Sequence, residues 1–306
     1  MYYVFVDAGQ TKTRVFLIDD KGNVTDDWIE DPIVPLTKQE GMTRLRHIFN
    51  SFRRVLEKKI QIDPTLTPDS ICVSLSGYYG ENASVPNVIE ETIPFGRLYV
   101  IPDYIATWYT MTNGKPGISL ISGGGTVGYG QNSRHEACRV GGWGHVLGDE
   151  GSGYWIGLQA LKAALRSFTQ IEKAALLERE VRRRFSVNDE LSLIRAIYSG
   201  QIDDKQIAEL VPAIVKLAES GDQHSQRIMY EAVEHLVWVC RTMIAKLGIL
   251  PIYLAGGVFR SKYVEKCFIH LLQQSLKTEL EIHNFSDSKI NRLALAKYGV
   301  EAFRIR

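Results

Sequence analysis

Short apolar runs of strand length alternate along this chain with longer stretches whose apolar residues recur every three or four positions. Tyr2–Val6 is an apolar run, and Arg14–Asp19 is a second one beyond a turn of glycine and threonine. The polar turn Asp20-Lys21-Gly22-Asn23 follows. Two such runs joined by a tight bend predict a β-hairpin. Further strands are predicted at Ser70–Ser76, Tyr99–Ile101, Ile118–Ser122, Ile252–Ala255 and Glu281–His283. From Lys38 to Ile60 the apolar positions are Leu45, Ile48, Phe49, Phe52, Val55 and Leu56, one face of an amphipathic helix. Gly151–Phe168, Gln206–Ala218 and Gln223–Leu247 repeat that spacing, and Gly248 closes the last of them. A final helix is predicted from about Ser288. There is no short-period repeat, but each half opens with strands, closes with a helix and carries a glycine-rich turn after a strand. That mixture predicts an α/β protein.

Composition narrows the class. With 306 residues the chain is long enough for two domains. A hydrophobic fraction of 45% and a charged fraction of 23% are those of an ordinary globular protein. A net charge of +1 leaves no broad footprint for nucleic acid, and Arg182-Arg183-Arg184 reads as a solvated helix face. No apolar run approaches the ~20 residues that cross a bilayer, so no membrane partner is expected. The first residues, Met1–Asp7, read as a buried strand and lack the basic start of a secretory leader. The cysteines Cys72, Cys138, Cys240 and Cys267 are scattered, which points to a reducing, cytoplasmic setting.

Three turns directly follow strands: Asp7-Ala8-Gly9-Gln10-Thr11-Lys12-Thr13, Ser122-Gly123-Gly124-Gly125-Thr126 and Ala255-Gly256-Gly257-Val258. Glycine lets the backbone approach a ligand, and successive amides in such a turn make a concave anion site. Threonine hydroxyls add donors, and an Asp beside the turn can hold Mg²⁺. Any one of them can equally be an ordinary tight turn. Together they point to a nucleotide. The first is neither a Walker A loop nor a dinucleotide fingerprint, because both spacings are absent.

The most distinctive segment is Gly141–Gly157, which places glycine at 141, 142, 144, 148, 151, 153 and 157. So little side chain cannot build a core, so the segment is built for backbone placement. Its carboxylates, Asp149 and Glu150, can accept sugar hydroxyls, and Trp143 can cover an apolar sugar face. Asp149 and Ser152 also suit the cap of the next helix.

Here the sequence resembles the N-acetylglucosamine kinases. Over nearly its whole length it resembles the BadF/BadG/BcrA/BcrD ATPase family, which joins those kinases to the benzoyl-CoA reductase activator ATPases. Both lie in the actin, sugar-kinase and heat-shock-chaperone superfamily. Asp7–Thr13 resembles the first phosphate loop, Pro102–Ala106 the segment with the catalytic Asp, Ser122–Thr126 the second phosphate loop and Ala255–Ser261 the adenosine loop. The resemblance implies a two-domain, actin-like (ribonuclease H-like) α/β fold with a cleft between domains 1–110 and 111–306. A C-terminal helix at about 287–306 is expected to pack back on the first domain.

The same resemblance implies a Mg²⁺- and ATP-dependent kinase that phosphorylates a primary hydroxyl of an amino sugar, with Asp103 as catalytic base. It puts ATP on Asp7, Gly9, Gln10, Thr11, Lys12, Thr13, Gly123, Gly124, Gly125, Thr126, Gly256 and Gly257, with Mg²⁺ at Asp7 directly or through water. It puts the sugar on Gly77, Gly142, Trp143, Asp149 and Glu150, and it implies a homodimer. The sequence departs from the kinases at Asp31-Pro32-Ile33-Val34-Pro35, where they carry a Gly-Pro-Ser-Asn-like loop. It departs again at Gly124 and Val127, where they carry Thr and Asn, and Lys289–Tyr298 lacks their Pro-x-x-Gly-Ala run. Three other readings compete: an electron-transfer activator with a cysteine-held iron–sulfur cluster, a non-catalytic sugar or nucleotide-binding regulator, and a zinc site at His135, Cys138 and His145.

Overall fold

The apolar run at the start becomes β1 (Tyr2–Ala8), and its neighbours explain why it is apolar throughout. The computed structural model describes residues 1–9, 12–33, 40–80, 84–285 and 295–297. The chain divides into two compact units, Met1–Gly114 with Lys289–Arg306, and Lys115–Ser288.

In the first unit β1 lies at the centre of a five-stranded sheet with β2 (Thr13–Asp19), β3 (Val24–Glu30), β4 (Pro68–Leu75) and β5 (Arg97–Pro102), in the order β3-β2-β1-β4-β5. The hairpin strands β2 and β3 run antiparallel, while β4 and β5 run parallel to β1. Successive side chains of a strand point to opposite faces. Val4 and Val6 therefore meet Leu45, Phe49 and Phe52 of α1 (Gly41–Ile62), together with α2 (Ser84–Thr92). Tyr3 and Phe5 meet Phe16, Tyr99, Ile101 and Ala106, the last on α3 (Asp103–Thr112). A strand covered on both faces reads as an unbroken apolar run. Leu295 and Ala296, which are helical, join that second core, and the Ser70 hydroxyl donates to the Ala296 carbonyl. Each fully buried Phe, such as Phe49 and Phe52, contributes about 1.5–3 kcal/mol.

The second unit repeats the topology. β6 (Gly117–Ser122) is central, with β7 (Thr126–Gln131) and β8 (Ala137–Gly141) antiparallel on one side and β9 (Ile252–Ala255) and β10 (Ile282–Asn284) parallel on the other. The connection from β8 to β9 carries α4 (Gly153–Phe168), α5 (Ala175–Phe185), α6 (Glu190–Tyr198), α7 (Asp204–Ala208), α8 (Val211–Glu219) and α9 (Gln223–Leu247). α10 (Lys262–Leu276) follows β9. α9 lies against the sheet where β7 carries Gly128 and Gly130. A Cβ at Gly128 would fall 2.4 Å from the Met243 sulfur, and one at Gly130 2.9 Å from Leu247 Cδ1. Glycine in this strand marks the close approach of a helix.

Several sequence expectations shift. The strands β3, β7 and β8 and the helices α2, α5 and α6 were not expected. The helix expected over Gln206–Ala218 is two helices, because Leu210 starts a new turn and Pro212 stands at the beginning of α8. Proline has no amide to continue the preceding helix. α4 begins at Gly153 rather than Gly151, since Ser152 caps it by accepting from the Trp155 amide at 3.1 Å. The helix expected from Ser288 lies outside the described residues except for 295–297.

Candidate active site

Parallel strands release their carboxyl ends on one edge, where open α/β sheets bind ligands. In the first unit that edge gathers Asp7 from β1, Ser76 and Gly77 just after β4, and Asp103 just after β5. The pairing fixes it, since Asp7 is level with Ser74 and Leu75 with Pro102. β1 and β5 are separated by one strand, so their backbones lie about 10 Å apart. The Asp7 carboxylate is near enough to Asp103 for their charges to interact.

Asp103 is half-buried as the first residue of α3, with Pro102 at the cap position. Its carboxylate accepts from the Tyr104 amide at 2.8 Å and from the Ser76 side chain. Burial holds its carboxyl above the usual carboxylate range, and the charge of Asp7 adds to that, against the lowering effect of the Ser76 and Tyr104 hydrogen bonds. Ser76 was not expected from the sequence. The signal was its position at the end of a strand, immediately before Gly77.

The first hairpin turn is closed by the Gly9 amide on the Lys12 carbonyl at 3.1 Å, and the Ile33 amide donates to the Gly9 carbonyl at 3.1 Å. Ile33 is thereby pinned, buried, beside the turn. Lys12 is exposed, while Thr13 is buried. Gln10, Thr11, Val34 and Pro35 lie outside the described residues.

The second unit presents its own glycine turns on the carboxyl edge of β6 and β9, whose ends are level at Ile121 and Ala255. An added Cβ at Gly123 or Gly124 would meet open space. Gly256 has φ +98°, and its Cα faces the Ser122 carbonyl so closely that a Cβ would lie 2.2 Å from that oxygen. The turns after β9 and β6 are thus packed on each other, with Gly257 facing open space.

Thr13 and Thr126 occupy matching positions, each the first residue of the hairpin strand that follows its turn. Both are buried, and among the described residues neither hydroxyl has a hydrogen-bond partner. Buried hydroxyls are ordinarily paired, so two orphans in matching turns are what a bound polyanion would complete.

In the glycine-rich loop, Trp143 is 57% exposed and its ring lies 3.0 Å from where a Gly148 Cβ would stand. The Glu150 carboxylate flanks the same glycine. Val127 lies under Gly142, 3.0 Å from its Cβ position. Asp149 does not cap α4. Its carboxylate accepts from the Thr126 amide at 3.1 Å. Burial raises its proton affinity, with Thr126 and His145 opposing and Glu150 adding.

The His145 ring packs on Tyr154 at 5.0 Å and lies 3.8 Å from Asp204. Among the described residues no three His, Cys, Asp or Glu side chains are grouped to hold a metal ion, so the zinc reading has no ligand set there. All four cysteines are free. Cys72 and Cys240 are buried in different cores, and burial pushes the Cys240 thiol up to about 12. Both behave as small core side chains rather than cluster ligands.

Two sheets of one strand order, each with a glycine-containing turn after its first strand, give the chain an actin-like α/β fold. A solved Chromobacterium violaceum protein, provisionally named an N-acetylglucosamine kinase, has this fold, with a TM-score of 0.70 at 21% identity over 96% of this chain and 97% of that one. The ROK hexokinase of Thermus thermophilus has it more distantly, with a TM-score of 0.56 at 14% identity over 97% of both chains. Residues 4–291 match the BadF/BadG/BcrA/BcrD ATPase family, and the chain belongs to it. A curated relative, the N-acetylmuramic acid/N-acetylglucosamine kinase of Clostridium acetobutylicum, is 29% identical over 271 residues, covering 85% of this chain and 86% of that protein.

Proposed function

We propose that this protein is an ATP-dependent amino-sugar kinase that transfers the γ-phosphoryl group to a primary hydroxyl, with Asp103 as general base. The observation that carries the reading is the surroundings of Asp103. It is a half-buried carboxylate at a strand end, oriented by Ser76 and Tyr104, whose proton affinity is raised by burial and by Asp7. A base with raised affinity is better matched to a hydroxyl proton near neutral pH. The sugar hydroxyl gives its proton to Asp103 as its oxygen attacks the γ-phosphorus, and the bond to the ADP oxygen breaks. Such a transfer depends mainly on positioning and charge neutralisation.

The phosphates are assigned to Gly9, Lys12 and Thr13 in one turn and to Gly123–Gly125 and Thr126 in the other, where the orphaned Thr13 and Thr126 hydroxyls supply donors. Gln10 and Thr11 belong to the same assignment from the sequence. Gly256 and Gly257 are assigned to the adenosine. Oxygen donors suit Mg²⁺, and Asp7, beside Asp103, would hold it directly or through water. Bound there, the ion would neutralise phosphate charge. Trp143, exposed beside Gly148, is assigned to an apolar sugar face, and Gly77, Gly142 and Glu150 belong to the sugar assignment from the sequence.

The stretch Asp31-Pro32-Ile33-Val34-Pro35 and Val127 stand where the resembled kinases carry amide side chains. That favours an amino sugar whose acetamido group is not read by both positions, or a bulkier derivative. A homodimer is part of the proposal. On α9, Tyr230 and Trp238 are 52% and 56% exposed, and Glu234 and Arg241 flank Trp238 with opposite charges, a pattern that could pair with its own copy about a twofold axis. Four free thiols suit a reducing cytoplasm.

The test is ADP release with N-acetylglucosamine, glucosamine, N-acetylmuramic acid and N-acetylmannosamine. Turnover with one of them, lost in Asp103→Asn, is expected. Near-full turnover in that variant would refute the base assignment.

A further inference from the structure

The turn between Trp143 and Asp149, two residues assigned to the sugar from the sequence, is tied to the rest of its unit through His145. Residues 144–148 close on themselves, since the Gly144 carbonyl accepts from the Gly148 amide at 2.9 Å and from the Leu147 amide at 3.3 Å. Trp143 rests on that turn, its ring 3.0 Å from where a Gly148 Cβ would stand. At the tip, Val146 and Leu147 are 81% and 76% exposed. His145 packs inward instead. Its ring meets Tyr154 of α4, with centroids 5.0 Å apart and planes at 56°. Its Nδ1 lies 3.8 Å from Oδ2 of Asp204, the first residue of α7. That is an ion-pair distance, effective when the imidazole is protonated.

Both partners of His145 are fixed in place. α7 lies against the first turns of α4, where that helix carries Gly153 and Gly157. A Cβ at Gly157 would collide with the Ile207 carbonyl oxygen, and one at Gly153 would lie 3.3 Å from Ala208 Cβ. Ile207 is buried. Asp203 caps α7: its carboxylate accepts from the Gln206 amide at 2.8 Å, and its own amide donates to the Gln206 side chain at 2.9 Å. Tyr154 belongs to the same cluster, because burial and then the charge of Asp204 raise the proton affinity of its hydroxyl. His145 is also near enough to Asp149 for its charge to act on that carboxyl group.

We infer that His145 is a positioning residue for sugar binding: by holding the Gly144–Gly148 turn against Tyr154 and Asp204, it keeps Trp143 and Asp149 in place before the sugar arrives. The inference rests on the sugar assignment of that loop. A loop already ordered costs less to bind, so the effect of His145 falls on sugar affinity rather than on phosphoryl transfer.

The test compares wild type, His145→Ala, His145→Phe, Asp204→Asn and the double variant His145→Ala with Asp204→Asn. Kinetics gives kcat and the KM values for sugar and ATP separately, and hydrogen exchange follows the Gly148 amide. His145→Ala should raise the sugar KM about fivefold or more, with kcat and the ATP KM within about twofold. His145→Phe, which keeps a ring on Tyr154, should recover most of that loss. Asp204→Asn should raise the sugar KM by about twofold, as an exposed pair allows, and should add nothing once residue 145 is Ala. Exchange at Gly148 should quicken in His145→Ala and return toward wild type in His145→Phe. An unchanged sugar KM in His145→Ala would overturn the inference. So would a His145→Phe variant as impaired as His145→Ala, since that would make the imidazole a sugar contact. If wild type phosphorylates no sugar, the kinase reading fails, and exchange at Gly148 still decides whether His145 holds the turn: equal rates in wild type and His145→Ala would overturn that too.

Discussion

Gly256→Ala tests whether the two glycine turns of the second unit support each other. Gly256 follows β9 with φ 98° and ψ 164°, a region essentially reserved for glycine. A residue forced into such a region costs about 1–3 kcal/mol. The added methyl would also stand 2.2 Å from the Ser122 carbonyl oxygen, 2.4 Å from its carbon and 2.9 Å from the Gly123 amide nitrogen. These are backbone atoms at the end of β6, so no side chain can swing away. Overpacking of this kind adds about 1–3 kcal/mol. The total is about 2–6 kcal/mol, and each kcal/mol moves the midpoint of a unit this size by about 2–4 °C. Differential scanning calorimetry should therefore show a melting temperature lower by roughly 10 °C. Because relief must come from moving Ser122–Gly123, binding of a non-hydrolysable ATP analogue should weaken in parallel. A midpoint within about 2 °C of wild type would refute the packing argument. A large drop with unchanged analogue affinity would refute the link between the two turns.

Asp103→Asn should separate stability from activity. The folded chain binds the Asp103 proton more tightly than the unfolded chain, so this group contributes stability below the usual carboxylate range that is lost as pH rises through its raised value. At pH 7 the variant should melt above wild type by differential scanning fluorimetry, while turnover falls about 10²-fold or more. In wild type the acid limb of kcat should lie above the ~3.9 of an ordinary aspartate, and a limb at that ordinary value would refute the burial argument. Trp143→Ala removes a ring that is 57% exposed, so unfolding should change by only about 0.5 kcal/mol, whereas the sugar KM should rise in a steady-state assay. Phe268→Ala opens a cavity in the second core beside Phe259, whose ring centroid is 5.5 Å away. A cost of about 3–5 kcal/mol should appear as a lower denaturant midpoint with an unchanged slope.

Legibility followed burial. β9 and α9 fall where the pattern put them because each carries an uninterrupted signal, and the α9 helix has Gly248 at its end with φ +87°. β3 was missed because its sequence, VTDDWIE, is mostly exposed at the sheet edge and has little apolar alternation. Only pairing with β2 makes it a strand. β7 was missed because Gly128 and Gly130 look like loop residues until α9 is seen to press on them. The candidate site divides in the same way. Asp7 and the glycine turns were visible because they adjoin recognisable strands, whereas Asp103 was singled out through the family resemblance. Ser76 and the partner of Asp149 were not, since a lone serine and an acidic pair carry no periodicity.

The sequence alone determined the α/β class, the order of the main elements and which turns can approach a ligand, because hydrophobic period and glycine content act locally. Only the tertiary structure decided that both units share one strand order, that Asp7 charges the surroundings of Asp103, and that the Asp149 carboxylate meets the Thr126 amide. Those are contacts between residues far apart in the chain. They exist because sheet pairing brings strand ends to one edge, and no local pattern encodes that distance.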